Sequence, residues 1–284
     1  MRNRHQLRRH LSMLPPRYRG PASVAIALLA GALYVFQACL GPQVPSGSGG
    51  HLVAGNPSQA GSDPNNYLME KPQYALSYNR SRGTANWVSW QLNSSWLGQA
   101  ERQDDFRPDE TLPATWERVR HGDYTGSGFD RGHLVPSADR TRSEADNSAT
   151  FLMTNIVPQT AANNRGPWKE LEEYARELVE QGKELYVVAG VYGDGKRIDE
   201  GKVTAPTHVW KVILVLDRPS VGLDSVTERT RTIAIDMPNR ESLKPNWQDY
   251  IVTVDDIERS TQYDLFSNLP VSVQEAIERQ RDRG

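Results

Sequence analysis

The residues best equipped for chemistry fall in two short stretches. In YTGSGFDRGHLVPSADR, residues 124–140, Arg131 and His133 are two positions apart and share one face of an extended strand. A fixed guanidinium beside a titratable imidazole suits attack on a phosphodiester. The imidazole takes a proton from water, and the planar cation matches phosphate and the charge it gains in the transition state. Gly126, Gly128 and Gly132 permit tight turns and close backbone approach around the pair. The remaining histidines lack such neighbours: His5 and His10 belong to the N-terminal segment, and His51, His121 and His208 read as surface or satisfied core residues.

The second stretch, TNIVPQTAANNRGPWKELEEYAREL, puts Asn155, Asn163 and Asn164 just ahead of a helix and Glu172 and Arg176 within it. On a helical wheel with Leu171 at zero, Glu172 falls near 100° and Arg176 near 140°, at the flank of the apolar stripe where a cleft edge would lie. Taken alone, Glu172 and Arg176 are an ordinary i,i+4 pair, and paired asparagines before a helix are an ordinary cap.

The elements that must hold these residues can be read from spacing and punctuation. Pro167 suits a first-turn position, Gly182 suits the stop, and Leu171, Ala175, Leu178 and Val179 form the stripe, which predicts one convincing helix. A weaker helix is expected over Val271–Arg281. Short β-like runs surround them at Asn86–Leu92, Leu134–Val135, Thr150–Met153, Leu185–Val191, His208–Leu216 and Arg231–Ile235. Strands on both sides of one central helix indicate an α+β fold with a central antiparallel sheet. Trp87, Trp90 and Trp96 could stack on bases, but in NWVSWQLNSSW they read more readily as core.

Together these pieces resemble the sugar-non-specific DNA/RNA endonucleases, the ββα-metal (His-Me finger) nucleases with a DRGH signature, and especially their secreted cyanobacterial members. The matching residues are Asp130-Arg131-Gly132-His133, SADRT from Ser137, FLMTN to Asn155, PQT from Pro158 and NNR from Asn163. The likeness runs from Asn56-Pro57-Ser58 through YALSYN, NWVSW and RQDDFRPD to IERSTQYDLFSNLP. It implies a general base at His133 and a single direct protein ligand of a divalent ion at Asn164, with water completing the coordination. It further implies that Glu172 holds metal-bound water, that Arg102, Arg131 and Arg176 bind and neutralise phosphate, and that Asn155 positions the base or its surroundings. An amide oxygen with waters suits Mg²⁺, tolerates Mn²⁺ and is poor for zinc. The implied products carry 5′-phosphate and 3′-hydroxyl ends.

Composition narrows the alternatives. With 284 residues, 37% hydrophobic and 24% charged, the chain can bury a substantial core. Its one cysteine, Cys39, rules out an internal disulfide or a cysteine-built zinc site. Neither HExxH nor a working phosphate loop occurs: in GVYGDGK, residues 190–196, Arg197 stands where Ser or Thr is required, and β-like sequence follows. Six arginines crowd the first twenty residues, leaving 27 basic against 35 acidic residues beyond them. So acidic a body argues against a broad nucleic-acid coat and leaves room only for a local cluster of arginines.

That basic start precedes a nearly uninterrupted apolar run, residues 22–40, which reads as an export signal or a membrane anchor. Arginines before the run favour placing the remainder outside, in the periplasm, in the medium or anchored on the outer side of the cytoplasmic membrane. A mitochondrial targeting segment is the competing reading. Cys39 after Ala38 stands as in a bacterial lipoprotein, although Phe36 and Gln37 fit that acylation pattern poorly. Residues 41–64, rich in Gly, Pro, Ser and Gln, are expected to be a flexible linker, and residues 65–284 the globular domain.

The leading expectation is therefore an exported nuclease cutting DNA and RNA without sequence preference, since phosphate contacts position a strand without reading it. A binding module without turnover, anchored for DNA capture, is the alternative of another class. Hydrolysis of a smaller phosphodiester is a third, and it would call for a closed pocket over His133.

Overall fold

The computed structural model describes residues 50–283. The expected signal or anchor at 1–40 and most of the N-terminal half of the expected linker lie outside them. In chain order the elements are β1 (Ser62–Asp63), β2 (Asn66–Glu70), β3 (Ala75–Asn79), β4 (Thr84–Leu92), β5 (Asp130–His133), α1 (Glu144–Ala149), β6 (Ile156–Gln159), α2 (Ala161–Arg165), α3 (Pro167–Glu180), β7 (Glu184–Ile198), β8 (Val203–Leu216), β9 (Arg231–Pro238), β10 (Ile251–Val252), α4 (Val254–Thr261) and α5 (Val271–Glu278).

Eight strands form one sheet in the order β1-β2-β3-β4-β7-β8-β9-β10, antiparallel at every pairing. Because side chains alternate across a strand, its central strands feed two separate cores. On one face Val88, Trp90, Val187, Ala189, Val209, Ile213 and Ile233 pack with Trp168, Leu171, Ala175, Leu178 and Val179 of α3. On the other, Trp87, Val188, Trp210, Val212, Leu214 and Ala234 pack with Val254 and Ile257 of α4 and Ile277 of α5. Burial on both faces explains why β7 and β8 read as almost continuous apolar runs rather than alternating ones. It also makes Trp87, Trp90 and Trp96 core residues.

The helix expected from Pro167 is present, and its end is explicit. Gly182 takes φ +84°, its N–H donates to the Val179 carbonyl, and the Lys183 N–H donates to that of Leu178, the left-handed stop that glycine accommodates. Four expectations need correction. Leu134–Val135 and Thr150–Met153 are not strands; they are buried connections. Their backbone is satisfied locally: the Asn155 carboxamide accepts from the Val135 N–H at 3.0 Å and donates to the Val135 and Thr150 carbonyls at 2.9 and 2.8 Å. Asn163 and Asn164 do not cap the helix. They lie inside α2, which Thr160 caps, and Gly166 is the N-cap of α3. The C-terminal helix stops at Glu278, short of Arg281. Finally, the fold begins earlier than residue 65. Ala54 and Ala60 join the far core, and Ser58 accepts the Trp87 indole N–H at 2.8 Å, so a segment poor in apolar residues is fixed by hydrogen bonds instead.

Candidate active site

Strands β5 and β6 form a separate antiparallel pair, with Asp130 opposite Gln159 and His133 opposite Ile156, and β6 leads directly into α2 and α3. Gly132 is required by this pairing, since a Cβ there would collide with the Gln159 side chain. The resulting ββα unit turns Arg131, His133, Asn164, Glu172 and Arg176 into one cleft of about 440 Å³, joined by Arg102 from the loop before β5. Six of the seven expected site residues thus line the same space, although they are spread over 75 positions of sequence from Arg102 to Arg176.

The seventh does not. Asn155 is fully buried and spends its carboxamide on the backbone at 135 and 150, while its carbonyl accepts from the Leu134 N–H at 3.1 Å. It therefore fixes the chain just after His133 and is a positioning residue, not a catalytic one.

His133 sits between two aromatic rings, with centroids 4.9 Å from Phe151 and 5.5 Å from Phe106. Its Nε2 is enclosed without a hydrogen-bond partner. Burial, aided by the nearby Arg102 charge, lowers its pKa from the usual 6.5 to about 3. The imidazole is consequently neutral at any ordinary pH, and Nδ1 is the ring nitrogen left to face the cleft.

The arginines are individually held. Arg102 lies 4.8 Å over the Phe151 ring and donates to Asp104 and to Ser137 Oγ. Arg131 lies 5.1 Å over Phe106, so the two rings that enclose His133 also carry two of the cations. Arg176 donates to Asp139 at 3.0 Å, and Asp139 also accepts the Trp90 indole N–H at 3.0 Å. Glu172 and Arg176 do not form the simple i,i+4 pair. Glu172 faces Lys211 of β8 at 3.4 Å instead, and Lys211 lies 4.0 Å over the Trp168 ring. Burial raises the Glu172 carboxyl and lowers the Lys211 ammonium, each moderated by the other's charge.

Asp130 organises the remaining corner. It accepts from Asn164 Nδ2 at 3.0 Å and receives Arg165 through two bonds of 2.8 and 2.6 Å, and the Arg165 guanidinium holds its carboxyl below the usual range. With its amide nitrogen anchored, Asn164 is oriented to offer its Oδ1 oxygen. Amide oxygen, the nearby Glu172 carboxylate and solvent make a hard, oxygen-only donor set that fits Mg²⁺ or Mn²⁺ and not zinc.

Several functional contributors were not singled out from sequence for these parts. Lys211 had a visible signal, a lone lysine inside the apolar strand HVWKVILVL. Asp139 was visible only as part of SADRT, and nothing in sequence marked Phe106 and Phe151 as the walls around His133. Arg165 and Lys169 line the same cleft with exposed side chains, Arg165 paired with Asp130 at 2.6 Å and Lys169 with Glu173 at 3.3 Å. The cleft is open, unlike the closed pocket a small phosphodiester would need.

The family model for DNA/RNA non-specific endonucleases matches residues 55–272. A protein described as a nuclease from Nostoc sp. is 57% identical over 235 residues, covering 82% of this chain and 86% of its own. The mitochondrial nuclease EXOG of Danio rerio is 34% identical over 244 residues, covering 80% of this chain and 68% of its own. Among solved structures, the EndoG/EndoGI complex contains a chain with TM-score 0.66 and 25% identity, covering 78% of this chain and 92% of that one.

Proposed function

This chain belongs to the DNA/RNA non-specific endonuclease family and is a hydrolytic nuclease; from that premise we propose that it is an exported, divalent-metal-dependent enzyme cutting DNA and RNA and leaving 5′-phosphate ends. The observation that carries this reading is an imidazole at His133 walled by Phe106 and Phe151, with its Nε2 enclosed, that shares one open cleft with three arginines and Asn164.

In this proposal His133 accepts a proton from the attacking water through its exposed ring nitrogen, while the hydrophobic walls of Phe106 and Phe151 keep the imidazole uncharged and fixed in place. Arg102, Arg131 and Arg176 bind the scissile phosphate and offset the charge that builds on it. Asp139 holds Arg176 in position, and Asp130 does the same for Asn164. Asn164 would hold the ion through Oδ1, and Glu172 would hold water bound to it. Mg²⁺, with Mn²⁺ as a substitute, would supply charge stabilisation at the leaving oxygen.

Contacts to phosphate account for indifference to base sequence. The basic-then-apolar N-terminus supports export to the periplasm, the medium or the outer face of the membrane, as a cleaved signal or a retained anchor at residues 22–40. The test incubates the protein with circular double-stranded DNA and with structured RNA, in Mg²⁺ or EDTA, beside His133→Ala. Metal-dependent loss of both substrates in wild type alone is expected; undiminished cutting by His133→Ala overturns the role of the base.

A further inference from the structure

On the sheet face away from α3, α4 and α5 bring together three acidic side chains. Asp255 and Glu258 stand three apart on α4, and Glu278 ends α5; one carboxylate oxygen from each lies within 4.8 Å of the others. None of the three has an ion-pair partner among the described residues. The basic residues that follow Glu258 and Glu278 in sequence pair elsewhere, Arg259 with Asp256 at 2.7 Å and Arg279 with Glu275 at 3.5 Å.

Glu278 makes the cluster more than a patch of surface acids. It is 7% exposed, its Oε1 is enclosed, and no hydrogen bond reaches that oxygen. It also sits at the C-terminal end of a helix, where the backbone dipole disfavours negative charge. Glu258 has only the Leu265 N–H, at 2.6 Å. Asp264, on the adjoining loop, adds further negative charge. A buried, unpaired carboxylate among like charges is costly unless protonated or joined by a cation. Consistent with that, burial pushes Glu258 up to about 7 and Glu278 up to about 8.

We propose that Asp255, Glu258 and Glu278 form a calcium site that fastens α4 to α5 on the far face of the sheet. Oxygen-only ligation is what a hard divalent ion takes, and three convergent carboxylates make the kind of all-protein site that calcium accepts, whereas magnesium usually keeps several waters and only one or two carboxylates. Its role is to hold the fold together, since the carboxylates lie on helices whose Val254, Ile257 and Ile277 pack into the core opposite the catalytic cleft, and none of the three lines that cleft. This inference is independent of the nuclease mechanism.

The test compares Tm in EDTA and in about 10 mM calcium chloride at pH 8, using the full chain carrying Asn164→Ala so that the cleft's candidate ligand is absent. Calcium is expected to raise Tm by about 5 °C or more, and magnesium by less. Adding Glu278→Gln should abolish the calcium gain while leaving Tm in EDTA equal or higher, because the amide carries no charge to bury. Adding Asp255→Asn should also remove the gain. No calcium response in the Asn164→Ala chain, an undiminished response with Glu278→Gln, or an equal response to magnesium would each overturn the site.

Discussion

The two faces of the central sheet solve opposite electrostatic problems. On the α3 face a base is kept neutral by burial while cations are carried at the cleft, each supported by a specific acid or ring: Asp139 under Arg176, Phe151 under Arg102, Phe106 under Arg131. On the α4–α5 face carboxylates are gathered with no cation among the described residues to meet them. The same sheet serves both, because alternate residues of its central strands belong to different cores. The lesson is that a fold can hold a charged site at full readiness only where it also supplies the opposing charges; where it does not, the groups must be neutral or take an ion from solution.

The largest test of this contrast is His133→Ala. Loss of the base should lower kcat on plasmid DNA by about 10²–10⁴-fold, with far-UV circular dichroism unchanged. An effect below tenfold would make the buried imidazole structural rather than chemical. Next comes Asp130→Asn, which weakens the acceptor of both Asn164 and Arg165. Activity should fall by about 10–100-fold and the Mg²⁺ concentration for half-maximal rate should rise, as expected when the support of a metal ligand is loosened. A fall in rate with no change in metal requirement would mean that Asp130 acts only through Arg165.

The faces should also differ in the sign of their pH dependence. His133, held at about 3 in the folded chain against an ordinary 6.5, stays neutral while the unfolded chain takes a proton, so its stability contribution is full above pH 6.5 and is lost as pH falls toward 3. His51, lowered to about 4, acts in the same direction. Glu278, raised to about 8 against an ordinary 4.5, retains a proton that the unfolded chain gives up, so its contribution is present below pH 4.5 and is lost as pH rises to 8. In EDTA, Glu278→Gln should therefore flatten the alkaline side of a Tm-against-pH profile without altering the acid side. The smallest effect belongs to the cleft rim. Lys169 has an exposed side chain, and Lys169→Ala should reduce the salt slope of DNA binding by roughly one unit while leaving kcat intact.

The helix at α3 was legible because Pro167, the apolar stripe and Gly182 are local signals, and β7 and β8 were legible because burial on both faces leaves an apolar run. Three helices escaped notice although they carry local signals of their own: Ser143 accepts from the Asp146 N–H at the start of α1, Thr160 accepts from the Asn163 N–H at the start of α2, and Thr253 and Asp256 form a reciprocal cap at the start of α4. All three are too short and too polar for periodicity to reveal them. The buried runs at 134–135 and 150–153 misled in the other direction, since hydrophobicity records burial and not the hydrogen bonds a backbone makes. Asn155 supplies such bonds to both runs, to Val135 from 20 residues away and to Thr150 from 5.

What the sequence by itself determined was the reacting chemistry and its local scaffold: the strand that puts Arg131 and His133 on one face, the helix that carries Glu172 and Arg176, and the asparagine before it. These follow from residue type and backbone period, which act over a few positions. Tertiary structure alone decided the state of those groups. Neutral His133 depends on Phe106 and Phe151, the setting of Glu172 on Lys211, the hold on Arg176 on Asp139, and the unpaired Glu278 on its meeting with α4. Burial and charge act through space, and partners up to dozens of residues apart become neighbours only once the sheet has brought them together.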